Sequence, residues 1–140
     1  MAGSLNDYLE LKLLEELVGK TAFTMPVAYI ALSRADPGES GAGVDEPTIG
    51  ALGYARIQTT AANWASAGSG AIYNAQILSY AEATGSWGVI SHFIAYDAAT
   101  GGNPLFYGTI DYPPGTPCPM TVGGGSTVSF AVGAIGCTMT

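Results

Sequence analysis

Residues 87–111 read WGVISHFIAYDAATGGNPLFYGTID. β-branched and aromatic side chains crowd Trp87–Asp97, the class that suits a pleated, half-buried surface. Ala98–Asn103 (AATGGN) interrupts the run, and Gly101 and Gly102 supply the positive φ values that a tight hairpin turn needs. Leu105–Asp111 then restores the apolar pattern. The stretch predicts a strand over 87–97, a turn over 98–103 and a second strand paired back across it. An isolated hairpin is marginal in water, so further strands must come from the flanking sequence.

Upstream, Val27–Ser33 (VAYIALS), entered through Pro26, Gly53–Thr60 (GYARIQTT) and Ala71–Tyr80 (AIYNAQILSY) each read as a strand. Arg34–Leu52 is a long loop rich in Gly, Pro and acid, and Asn63–Gly70 is a small-residue connection. Downstream, Tyr112–Met120 (YPPGTPCPM) is too rich in proline for an interior strand, because proline donates nothing to a ladder. Gly123–Gly125 leads into strands at Ser126–Ala131 and Ala134–Met139. Seven or eight short strands separated by turn signals predict a mainly β chain, a β-sandwich or jelly-roll-like body over 27–139. No repeat of fixed period and no boundary interrupts residues 1–140, so a single domain is expected.

The N-terminus has a different period. Residues 5–18 predict a helix, with Ser4 as N-cap, Asp7 completing the capping pattern and Gly19 at the C′ position. Leu5, Leu9, Leu13 and Leu17 form one row on its surface, and Leu11, Leu14 and Val18 form another. A surface helix normally buries one stripe. Two rows imply either contact with two bodies, the helix's own sheet and a neighbouring subunit, or burial of both rows inside one fold.

Charge is scarce: of 140 residues, four are Lys or Arg and eleven Asp or Glu, a net charge of -7 and 11% charged residues. Four cations cannot neutralise many phosphates, so nucleic-acid binding is not expected. Nor is there a basic stripe for an anionic membrane. Residues 57–81 are uncharged but too polar to span one. No basic region followed by an apolar run opens the chain, so no export signal is expected. The last 84 residues hold only Glu82, Asp97 and Asp111 and no cation. So little charge predicts surface covered by other chains, the alternative being a monomer coated with Thr, Ser and Gly.

The residues that could carry chemistry are few. His92 is the only histidine. Asp97 lies five residues along the same strand, roughly 16 Å away, and cannot orient it as a triad would require. Cys118 and Cys137 cannot make a structural zinc site; free thiols are expected, with one disulfide between the last strand and the proline-rich loop as the alternative. Gly123–Thr127 lacks the lysine of a phosphate loop and precedes a strand. Asp36, Glu39, Asp45 and Glu46 could bind Ca²⁺, but a solvated acidic loop fits their irregular spacing better. No catalytic residue, cofactor site or metal site is expected. The aromatics could stack on sugars or pack in the core and at interfaces.

The strings DYLELKLLEELVGKTAFTMPVAYIALSRADPG (7–38), GYARIQ (53–58), ATGSWGVISHFIAYDAATGGNPLFYG (83–108) and GGSTVSFAVGAI (124–135) together resemble a family of small tailed-phage virion proteins, labelled tail-fibre-like or head-decoration-like. Residues 109–122 depart from it, since TIDYPPGTPCPM intrudes where the family shows a simple strand pair. The resemblance implies a virion component made in the host cytoplasm. The first reading is a capsid decoration or cement protein: a homo-oligomer, a trimer by the local three-fold positions of a shell, bound to the major capsid protein or another virion protein. The alternative is a tail-fibre or adhesin module binding host surface glycan. The candidate interface residues are Leu11, Leu14 and Val18 on the helix, with Trp64 and Tyr112 in loops.

Overall fold

A computed structural model describes residues 2–139. The fold is mainly β with one N-terminal helix. Its main element is a seven-stranded sheet in the order β3-β2-β7-β8-β1-β11-β4. These strands are β1 (Ala2–Leu5), β2 (Tyr29–Ser33), β3 (Ile57–Gln58), β4 (Ala71–Tyr73), β7 (His92–Tyr96), β8 (Pro104–Thr109) and β11 (Gly136–Thr138). Two short ribbons complete it, β5 (Leu78–Ser79) with β10 (Ser129–Phe130), and β6 (Gly88–Ile90) with β9 (Met120–Val122).

The hairpin at the centre is where the sequence placed it. β7 and β8 pair antiparallel from His92↔Thr109 to Tyr96↔Pro104, and Gly101 and Gly102 have φ of 59° and 81°. β2 adds antiparallel to β7 from Tyr29↔Tyr96 to Ser33↔His92. Both faces of this pair are covered, which explains the nearly unbroken apolar run of β2. Ile30, Leu32, Phe93 and Ala95 face the main core, while Ala31, Ile94 and Tyr96 pack with Val44 of the 34–52 loop and with Tyr107.

Two predicted strands are each broken in two. Trp87–Asp97 leaves one sheet at Ser91 and enters another: β6 pairs with β9, and β7 pairs with β2 and β8. Ala71–Tyr80 likewise divides into β4, paired with β11, and β5, paired with β10. Strands that switch sheets at a bend make the corners of a sandwich. The second corner is latched by Asn74, which is 1% exposed. Its Nδ2 donates to the carbonyls of Gln76 (2.8 Å) and Ala131 (2.9 Å), and its Oδ1 accepts from the Ile135 amide (2.9 Å). Between the layers, Tyr54, Tyr80, Trp87 and Phe130 pack as a stacked and edge-on aromatic cluster.

Other expectations need correction. Eleven strands of two to six residues occur among the described residues, not seven or eight. Gly53–Thr60 contributes only Ile57–Gln58, and residues 120–122, at the end of the proline-rich stretch, form β9. The helix α1 runs Asp7–Leu17, and its N-cap is Asn6 rather than Ser4. Ser4 belongs to β1, a strand the sequence does not announce. β1 lies between β8, antiparallel through Ser4↔Tyr107, and β11, parallel through Gly3↔Cys137. Its place is set by two open strand edges and not by the propensity of AGSL.

Candidate interaction surface

Helix α1 is held at both ends. At its start, the Asn6 side chain is completely buried. Its Nδ2 donates to the carbonyls of Gly38 (3.1 Å) and Glu39 (2.8 Å), and the Asp7 amide donates to Glu39 as well (2.9 Å). At its end, the Gly19 amide bonds the Glu16 carbonyl (3.0 Å) and the Lys20 amide bonds the Glu15 carbonyl (2.9 Å), a Schellman closure. Gly19 takes φ of 68°, as expected of C′. The Glu16 carboxylate then accepts the Phe23 amide and turns the chain back.

Between these anchors, the two leucine rows part company. Leu9 is buried, and Leu5 and Leu13 are half-buried against the core. Leu17, assigned to the same row, is instead 79% exposed, because the helix ends beyond the sheet contact. Leu11, Leu14 and Val18 are 63%, 60% and 76% exposed. Among the described residues the second row is left largely exposed, which overturns burial of both rows inside one fold.

On the inner side of α1, an apolar groove of about 580 Å³ runs between the helix, residues 25–28 and the sheet end formed by β4, β8 and β11. Trp64 is one wall of it. Its Nε1 donates to Thr59 Oγ1 (3.2 Å), and its ring meets Phe106 edge-on at 6.0 Å. Tyr112 is 81% exposed, beside a separate depression of about 360 Å³ lined by Ile110, Met120 and Phe130. The five candidate residues thus fall in three places. Only Leu11, Leu14 and Val18 share a surface.

The acidic loop is not uniformly solvated. Arg34 forms an exposed pair with Asp45 (Nη2–Oδ1, 2.8 Å), and that bond holds the Asp45 carboxyl below its usual range. Glu46, by contrast, lies inside. It binds Arg56 through both oxygens (2.9 and 2.8 Å), with side chains 14% and 4% exposed respectively. Arg56 also donates to the carbonyls of Ala98 and Gly101 (both 2.8 Å) and stacks 3.9 Å over Tyr96. Tyr54 donates to Glu46 (2.8 Å) and accepts the Leu32 amide. Burial, reinforced by the Glu46 charge, pushes the Tyr54 phenol far up, so it stays a donor. One loop carboxylate therefore ties the loop to the central hairpin. An acidic residue with a later arginine is too common a pattern to have revealed it.

His92 is satisfied within its sheet. Its Nδ1 meets Ser91 Oγ at 2.8 Å and its Nε2 meets Thr109 Oγ1 at 3.3 Å. The carboxylate near it is Asp36, at 4.0 Å, beyond hydrogen-bond reach. Asp97 is used in the turn, accepting from the Asn103 amide (2.7 Å) and side chain (2.9 Å). Burial lowers the His92 pKa, against the smaller opposing effect of Asp36. Cys118 is exposed and Cys137 buried, both as free thiols. Among the described residues, no group of three or more His, Cys, Asp or Glu is placed to hold a metal ion. No helix there is long and apolar enough to cross a membrane.

Residues 4–138 match the family model described as Podophage GP4 fiber I protein gp80. The curated proteins contain no match to the chain.

Proposed function

The chain belongs to the podophage GP4 fiber I protein gp80 family, and from that premise we propose that it is a structural subunit of a tailed-phage tail-fibre apparatus. It acts by packing against other virion proteins and its own copies, as one domain, and carries out no chemical step. The observation that carries this reading is the helix stripe Leu11, Leu14 and Val18, apolar and at least 60% exposed. Exposed apolar surface of this kind marks sites of association. The charge-poor C-terminal body supports the second half of the reading, since residues 57–140 carry only Glu82, Asp97 and Asp111 and no Lys or Arg, and can close against copies of themselves with little desolvation cost. Trimeric association fits such a subunit, and avidity over repeated contacts would multiply weak individual ones.

The family description favours the fibre over capsid decoration. Quantitative mass spectrometry of purified virions separates the two. Fibre assembly requires a copy number set by the tail's few symmetric positions, whereas a copy number tracking that of the major capsid protein would establish decoration instead. Absence of the chain from purified virions would refute both.

A further inference from the structure

We infer that the outward face of α1 docks a different virion protein, one whose surface offers an apolar groove rimmed by lysine and arginine, and does not seal against a second copy of this chain. This rests on the structural-virion reading and adds to it the chemistry of a partner. Leu11, Leu14 and Val18 follow the three-then-four spacing of an interhelical seam and fall within about 60° of arc at 3.6 residues per turn. Each side of that seam carries a carboxylate. On the same wheel Glu10 lies on one flank, Glu15 on the other and Asp7 at the N-terminal end. Among the described residues, no Lys or Arg lies on the seam itself. Lys12 lies over the Tyr8 ring (5.8 Å), Arg34 and Arg56 are engaged by Asp45 and Glu46, and Lys20 is beyond the helix end.

Self-pairing through this face brings like charges together in either direction. In parallel helices, Glu10 faces Glu15 of the neighbour across the seam. In antiparallel helices, Glu10 approaches Glu10 and Glu15 approaches Glu15. Docking on another face of a second copy fares no better: no Lys or Arg follows Arg56, Arg34 and Arg56 are held by Asp45 and Glu46, and Lys12 and Lys20 lie on or next to this same helix, too few for a basic rim elsewhere. A partner with that rim satisfies both carboxylate flanks while burying the leucines. The geometry therefore divides labour: the charge-poor body for like chains, the acid-edged helix for an unlike one.

The test uses purified virions in which Leu14 is replaced by the photo-cross-linker p-benzoylphenylalanine, with Thr100, in the exposed 98–103 turn, replaced likewise as a control. Irradiation and peptide mass spectrometry should join position 14 to a segment of another virion protein containing Lys or Arg. Adducts to a second copy, to a segment without basic residues, or no more adduct than at position 100 would overturn the inference. In parallel, Leu11→Ser with Leu14→Ser, and separately Glu10→Lys with Glu15→Lys, should each lower the copies per virion at least about ten-fold. Both pairs should leave the sedimentation coefficient of the isolated protein unchanged and lower its melting temperature by no more than about 3–4 °C, the helix-propensity cost of the substitutions. Undiminished incorporation of either, or a changed oligomer, would also overturn it. The wild-type chain missing from virions would instead defeat the structural-virion reading itself.

Discussion

Replacing Arg56 by Met should cost far more stability than replacing Arg34 by Met, although both arginines pair with neighbouring carboxylates of one loop. Arg56 is 4% exposed and its partner Glu46 14%, against 34% and 54% for Arg34 and Asp45. The Arg56→Met variant leaves a largely buried carboxylate without its cation and also frees the carbonyls of Ala98 and Gly101. Breaking a buried pair by removing one member costs about 3–5 kcal/mol. An exposed pair is worth about 0.2–1 kcal/mol. For a chain of this length about 3 °C of melting temperature is lost per kcal/mol, so Arg56→Met should melt roughly 10–15 °C lower and Arg34→Met only about 3 °C lower. Adding Glu46→Gln to Arg56→Met should recover part of the loss, since the lone buried charge is then gone while the Tyr54 hydroxyl keeps an acceptor. Calorimetry or urea unfolding of the four proteins measures all of this. The reasoning fails if the two arginine variants differ by less than about 1 kcal/mol, or if the double variant is no more stable than Arg56→Met.

Three other outcomes are expected. Gly3→Ala should destabilise by at least about 2 kcal/mol in urea unfolding, in the upper range for single substitutions, because its Cβ would meet the Tyr107 carbonyl across the β1–β8 pair. The His92 pKa is depressed in the folded state, so the unfolded chain binds the extra proton. Stability is then full above about pH 6.5 and falls as pH drops below it, and His92→Gln should flatten that fall in melting temperature between about pH 6.5 and 5. Iodoacetamide should label one thiol of the native protein, Cys118, and two after denaturation, because burial raises the Cys137 thiol to about 11 and hides it.

The hairpin 92–109, the strand that joins it at 29–33, and the helix end at Gly19 were legible because each is decided locally. Side-chain period, turn glycines and a positive φ act over a few residues. The exposed helix row was legible as a second stripe, though a wheel has no inside, and only docking of Leu9 and Leu13 on the core showed which row faces out. Three features were hidden. β1 carries no strand signal of its own because its stability comes from the edges of β8 and β11, more than 100 residues away. The corners at Ser91 and Asn74 interrupt runs that are continuous in hydrophobicity, since a strand entering a second sheet keeps its apolar alternation. Glu46 reads as one more acid in a polar loop until Arg56 and Tyr54 close around it. Local sequence thus determined which segments extend, turn or coil, and where apolar surface exceeds what one sheet can cover. The tertiary structure alone decided which edges pair, where strands change layer and which charges leave water, because those depend on partners that are distant in the chain.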